Sequence, residues 1–141
     1  MEKFSVFASR LIPQGEYLVP GHRFCIGCGE ALALRLACKA LGKNVIIVMA
    51  TGCMEICTSC LPQTSWQVPW IHTLFENVGA VASGVEAGLK AQMRKGKIPQ
   101  RKIYCAGMAG DGVRTIYNLR KEEDRARRGH DFLYICFDNE A

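Results

Sequence analysis

Val45-Ile46-Ile47-Val48, at the centre of the stretch Asn44 to Ala50, is a continuous apolar run of β-branched residues. A strand with one wet face alternates apolar and polar positions. A run that is apolar throughout reads as a strand covered on both faces, the condition found inside a parallel sheet. Just upstream, Glu30 to Leu41 is dominated by strong helix formers and is followed by Gly42, a suitable stop. Downstream, Lys102 to Gly107 and Phe132 to Phe137 repeat the buried-strand pattern. Phe75 to Lys95 reads as a helix in which small residues, among them Gly79, Ala82, Gly84 and Gly88, let another backbone come close. Val113 to Arg128 is polar and predicted to be helical, and Thr51 to Trp70, without periodicity, is predicted to be a long functional loop. Helices alternating with apolar strands predict an α/β fold, a mostly parallel sheet flanked by helices.

The 141 residues fit one domain, and 49% hydrophobic with 22% charged residues is normal for a packed core. Residues 1 to 20 read as an irregular arm, because Pro13, Gly15 and Pro20 interrupt regular structure, and residues 21 to 141 as the domain proper. No apolar run reaches the length of a membrane span, and Met1 to Ser5 lacks a secretion pattern, so a cytoplasmic setting without membrane attachment is expected. The net charge of +5 comes largely from Arg114, Arg120, Lys121, Arg125, Arg127 and Arg128. This run carries little aromatic interleaving and no nucleic-acid motif, so it is read as a solvated helix face and no nucleic-acid partner is expected.

Eight cysteines are many for a chain in a reducing compartment, and ligation explains them better than disulfides. Three groupings are open. Cys25-Ile26-Gly27-Cys28 with Cys57-Thr58-Ser59-Cys60 would make a four-thiolate zinc site in a small docking module. Cys53, Cys57 and Cys60 have a radical-enzyme spacing, for which the chain is too short. Cys25, Cys28 and Cys53 would give three ligands of a [4Fe–4S] cluster. Cys38, Cys105 and Cys136, on a helix and two strands, read as small core residues.

Gly110-Asp111-Gly112 follows a predicted strand, where open α/β sheets bind ligands. Its glycines admit a diphosphate close to the backbone, and Asp111 is a hard oxygen ligand suited to Mg²⁺. Asp138-Asn139-Glu140-Ala141 follows the next predicted strand. Two neighbouring parallel strands would bring Asp111 and Asn139 to one sheet edge, an arrangement that resembles the thiamine-diphosphate motif.

Longer runs extend the likeness. Gly21-His22-Arg23-Phe24-Cys25-Ile26-Gly27-Cys28-Gly29-Glu30, Ala50-Thr51-Gly52-Cys53-Met54-Glu55, Val68-Pro69-Trp70-Ile71-His72, Phe75-Glu76-Asn77, Ala82-Ser83-Gly84-Val85-Glu86-Ala87 and Gly129-His130-Asp131-Phe132 stand in order. Together with Asp138 to Ala141 they resemble the beta subunit of pyruvate:ferredoxin oxidoreductases over most of residues 20 to 141. The resemblance implies a thiamine-diphosphate-binding fold, here an incomplete one, in a CoA-acylating 2-oxoacid:ferredoxin oxidoreductase that decarboxylates pyruvate oxidatively. It implies that Cys25, Cys28 and Cys53 ligate a [4Fe–4S] cluster, that Gly110, Asp111, Gly112 and Asn139 receive thiamine diphosphate, and that Asp111, Asn139 and the Ala141 carbonyl hold Mg²⁺. It implies alpha, gamma and delta partner subunits (or fused equivalents), ferredoxin, pyruvate and coenzyme A as partners, and no activity for this chain alone. A branched-chain 2-oxoacid is the alternative substrate; an inactive fragment is the alternative to activity. Trp70, His72, Glu76 and Asn77 fall in matching motifs without individual roles.

The resemblance lapses twice. Family chains continue beyond the Asn139 motif and take a fourth cluster cysteine from further on; within this chain Cys57 or Cys60 is the candidate substitute. Between Val113 and Arg128 the family's Gly-Thr-x-Asp-Ile-Gly-like helix start is replaced by Val113-Arg114-Thr115-Ile116 and a charged run. Gly-Thr-Tyr-Asp-Ile can be encoded so that a one-base shift of reading frame yields Val-Arg-Thr-Ile, which makes a compensated frame error the expected origin of this segment.

Overall fold

The computed structural model describes residues 12–60, 64–113 and 129–138. Four strands, β1 (Val45–Ala50), β2 (Trp70–Thr73), β3 (Tyr104–Gly110) and β4 (Leu133–Phe137), form one sheet in the order β2-β1-β3-β4, and every pairing is parallel. Helix α1 (Gly29–Leu41) precedes β1, a short helix α2 (Cys53–Thr58) follows it, and α3 (Val78–Arg94) joins β2 to β3. A helical turn at Asp111–Val113 leaves the end of β3. The expected α/β architecture is therefore the observed one.

β1 is buried along nearly its whole length because it sits between two neighbours and under two layers. Val45, Ile47 and Met49 point to one face, where they meet Leu34 and Cys38 of α1, Met54 of α2, Trp66 and Met108. Val48 and Ala50 point to the other face and meet Val78 and Ala82 of α3 with Cys105, Ala109 and Phe132. The period-two alternation of a strand thus divides one apolar run between two cores. On α1, Leu34 and Cys38 stand four residues apart on the buried stripe, while Leu32 and Leu36 remain exposed. Burial of a side chain such as Leu34 contributes about 1.5–3 kcal/mol, and Leu34→Ala would cost about 2–5 kcal/mol with the cavity included. Against α3, Gly107 is required by space: a Cβ there would stand 2.9 Å from Val78 Cγ1 and 3.4 Å from Tyr134 Cδ2.

Three expectations are corrected. Thr51 to Trp70 is not a continuous loop, because its first third winds into α2. Trp70 opens β2, a strand of four residues whose pairing with β1 substitutes for any local pattern. Phe75–Asn77 forms a 3-10 turn, and the regular helix begins only at Val78. Cys38 and Cys105 are core residues, with burial pushing both thiols up to about 11; Cys136 is only half-buried. The predicted helix Val113 to Arg128, with its basic run, lies outside the described residues except for its first position.

The arm residues from Ile12 onward lie on the α1 face. Val19 donates its amide to Ser65 O (2.9 Å), and Gln67 donates to Tyr17 O (3.0 Å). Glu16 takes a two-pronged contact from Arg35, at 2.6 and 2.9 Å, and lies 2.6 Å from Lys39 Nζ. Hydrogen bonds from Arg35 and then Lys39 hold its carboxyl down to about 2. No helix among the described residues is long and apolar enough to cross a membrane.

Candidate functional site

Strand order locates the site. From β1 the chain moves to β2 on one side; from β3 it moves to β4 on the other. Between β1 and β3 the outgoing connections diverge, and the strand order places the ligand crevice expected of an open α/β sheet past the carboxyl ends of these two strands. Thr51, Gly52 and Cys53 leave β1 on one side of that crevice, and Gly110, Asp111 and Gly112 leave β3 on the other. β4 stands beside β3 with Phe137 in register with Gly110, so the end of β4 reaches the same edge.

The thiol-bearing side is built from two short pieces of chain. Cys28 donates its amide to Cys25 O (3.1 Å), closing a turn that Gly27 permits by taking φ 79°. This turn leads directly into α1, while Arg23 donates to Cys57 O at 2.8 Å and ties the incoming segment to the end of α2. Cys25 and Cys53 are exposed, and Cys28 and Cys57 are half-buried. Burial, and then the neighbouring thiols of Cys53, Cys25, Cys28 and Cys60 in that order, push the Cys57 pKa up. Cys25, Cys28, Cys53 and Cys60 thus all lie near enough to Cys57 to act on its thiol. Among the described residues no group of three or more His, Cys, Asp or Glu side chains is placed to hold a metal ion.

Behind the thiols lies a polar network that sequence reasoning did not find. Thr51 Oγ1 is 2.7 Å from His72 Nε2, and His72 Nδ1 is 3.5 Å from Glu55 Oε1. Glu55, buried on α2, also accepts a hydrogen bond from Ser59 Oγ, one turn along the same helix. Trp66, Trp70 and His72 stack in series, with centroids 6.2 and 6.4 Å apart, leading from the core to the exposed imidazole. The Trp66 indole donates to Thr58 Oγ1 (3.1 Å), whose own hydroxyl is given to Met54 O (2.7 Å). The signal available in the sequence was alternation: residues 70 and 72 of a strand share a face.

On the opposite side of the crevice Asp111 is half-buried and Gly112 exposed, at the opening of a helical turn. A carboxylate between two glycines at a strand end suits a hydrated Mg²⁺ and a diphosphate. Asn139 and Ala141, the other expected Mg²⁺ ligands, lie outside the described residues. Glu76 and Asn77 fall in the 3-10 turn after β2. Glu86, although in a matching motif, belongs to the other end of the sheet. There it accepts from His130 Nδ1 (3.1 Å) and the Asp131 amide (3.4 Å), and Lys90 pairs with it, tying α3 to the entry of β4. Burial opposes its ionisation, but hydrogen bonds from Lys90, His130 and Asp131 prevail and lower its pKa.

No family model matches the chain. It is similar to the pyruvate synthase subunit PorB of Methanocaldococcus jannaschii, 51% identical over 130 residues, which are 92% of this chain and 44% of that protein. The PorB subunit of Pyrococcus furiosus is 44% identical over 136 residues, covering 89% of this chain and 39% of that protein. The ketoisovalerate oxidoreductase subunit VorB of the same organism is 42% identical over 130 residues, 92% and 42% of the two chains. The chain thus spans less than half the length of these relatives, and what it matches is their amino-terminal portion.

Proposed function

Because this chain is a homologue of the amino-terminal portion of pyruvate synthase PorB subunits, we propose that it carries the thiamine-diphosphate and iron–sulfur site of a CoA-acylating 2-oxoacid:ferredoxin oxidoreductase. The observation that carries this reading is the strand order, which sets Cys53 after β1 and Gly110-Asp111-Gly112 at the end of the neighbouring β3, at one edge of the sheet. A cofactor seated there would have a redox acceptor within a short distance, as one-electron chemistry requires. When bound, thiamine diphosphate supplies carbanion stabilisation for decarboxylation, and the cluster accepts electrons singly.

The chain's own residues bind and orient. Gly110 and Gly112 leave room for diphosphate oxygens, and Asp111, with Asn139 and the Ala141 carbonyl, provides oxygen ligands for Mg²⁺. Cys25, Cys28 and Cys53 give thiolates to the cluster. The Trp66–Trp70 stack backs the His72 ring with apolar surface, and His72 Nε2 pairs with the Thr51 hydroxyl. Alpha, gamma and delta subunits or their fused equivalents, ferredoxin and coenzyme A complete the reaction in the cytoplasm. Pyruvate is the proposed substrate. The VorB likeness favours a branched-chain 2-oxoacid as the second reading.

Anaerobic purification followed by iron, sulfide and zinc analysis, with thiamine diphosphate and Mg²⁺ binding measured by calorimetry, tests the proposal. Iron and sulfide in near-equal amounts, and thiamine diphosphate binding that Asp111→Ala abolishes, are expected. Zinc alone would replace the reading with a docking module. Within the assembled enzyme, a panel of 2-oxoacids separates pyruvate from branched-chain substrates.

A further inference from the structure

The segment that leaves the carboxyl end of β1 is held by one imidazole on both flanks. Thr51 sets its hydroxyl 2.7 Å from His72 Nε2, and Glu55, on the far side of Gly52-Cys53-Met54, sets a carboxylate oxygen 3.5 Å from His72 Nδ1. The backbone is tied only at the edges of this span, by the Thr51 amide on Thr73 O (3.2 Å) and the Ile56 amide on Gly52 O (2.9 Å). Gly52 brings no side chain of its own, and among the described residues nothing caps the start of α2 by a side-chain hydrogen bond. A six-residue helix is too short to hold itself together by propensity, and a glycine at its entry adds backbone freedom. Rigidity between Thr51 and Glu55 therefore has to be imposed from outside.

The imidazole is placed to impose it. His72 stands on β2 in register with Met49 of β1. Trp70 stacks on its ring with the planes 23° apart, and Trp66 continues the stack into the core. Glu55 is anchored as well, buried and accepting from Ser59 Oγ. Both ring nitrogens face protein groups, so His72 acts through the segment it holds and not on a ligand. We propose, resting on the reading of function above, that His72 is a positioning residue. It clamps the Thr51–Glu55 segment and so fixes that segment beside Gly110-Asp111-Gly112, at the end of the neighbouring β3. The clamp needs no change of charge, because a neutral imidazole with its proton on Nδ1 donates toward Glu55 and accepts from Thr51.

Backbone order parameters from nitrogen relaxation of the full chain, with kcat and KM of the assembled enzyme, test this. In wild type the Gly52, Cys53 and Met54 amides should be as rigid as β1, with order parameters of about 0.85. His72→Phe should lower these three to about 0.6 while Val48 and Tyr104 keep theirs, which also reports that the variant folds. Since phenylalanine keeps a ring against Trp70, lost packing does not account for such a difference. Thr51→Val, which removes only the hydroxyl contact, should loosen the same amides, and Thr51→Ser, which retains it, should not. In the assembled enzyme His72→Phe and Thr51→Val should lower kcat about tenfold to a hundredfold and leave KM for the 2-oxoacid within about twofold of wild type. Unchanged order parameters at Gly52 to Met54 in both variants would overturn the inference, and so would loosening with no loss of kcat. In either case wild-type turnover leaves the reading of function standing. A wild-type assembly that binds no thiamine diphosphate would sink that reading and this inference with it.

Discussion

The hydroxyl of Thr51 stands 2.7 Å from Nε2 of His72, joining the residue that follows β1 to the third residue of β2. This contact extends the β1–β2 ladder, where the Thr51 amide already donates to Thr73 O at 3.2 Å. With Glu55 beside Nδ1, the favoured tautomer carries its proton there, so that Nε2 accepts from Thr51. His72→Phe keeps a ring against Trp70 and removes both nitrogens. The expected cost is about 1 kcal/mol, the low end for a lost hydrogen bond beside a buried acceptor, because the imidazole is 44% exposed. A shift of the urea midpoint at unchanged slope measures it. An unchanged midpoint would show that the imidazole contacts contribute nothing to the fold.

Gly107→Ala should destabilise more than its size suggests. The added methyl meets Val78 Cγ1 at 2.9 Å, a branched side chain that is itself completely buried. Overpacking of this kind costs about 1–3 kcal/mol. The double variant Gly107→Ala with Val78→Ala should recover part of the loss, and a double-mutant cycle in denaturant checks the coupling. Strict additivity of the two changes would contradict the contact.

Acid should release the arm before it unfolds the sheet. The Glu16 pKa is lowered from 4.5 to about 2 by Arg35 and Lys39. A depressed carboxyl contributes its stabilisation above the unfolded value and loses it as pH falls through the folded one. Docking of the arm should therefore be unaffected above pH 4.5 and weaken progressively between about 4.5 and 2. Hydrogen exchange at the Val19 and Gln67 amides reports this directly. Glu16→Gln should show faster exchange at those amides already at neutral pH, and protection equal to wild type would exclude the ion pair as the tether.

Thiol labelling should divide the cysteines by location. Cys25 and Cys53 are exposed and should react at once with an aromatic disulfide reagent in the metal-free chain. Cys38 and Cys105, buried with thiols near 11, should react only when denaturant opens the cores. Mass spectrometry of the labelled peptides assigns each site; early labelling of Cys38 would mean that α1 separates from β1 in the native state.

The fold was legible because β1 is an unusually clear strand and because Glu30 to Leu41 and Phe75 to Lys95 carry strong helical composition. The cysteine group was legible as residue types, through the Cys25–Cys28 spacing and Cys53 after a strand. What local pattern could not show was α2 and β2. Six residues hold too few turns to display a helical period, and β2 exists through its pairing with β1 rather than through its own alternation. The Thr51–His72–Glu55 network follows from that unseen pairing, which is why His72 carried no role in the sequence.

The β2-β1-β3-β4 order also governs how the chain comes off the ribosome. β1 is made first, yet its two neighbours are β2 and β3, so it stays open along one edge until translation has passed Gly110. The most apolar segment of the molecule therefore waits longest for its cover. A stall between β2 and β3 would leave an unpaired strand edge of the kind that templates self-association. Correct assembly of this protein is thus a matter of timing as much as of sequence, with the thiols already displayed while the sheet that will support them is half made.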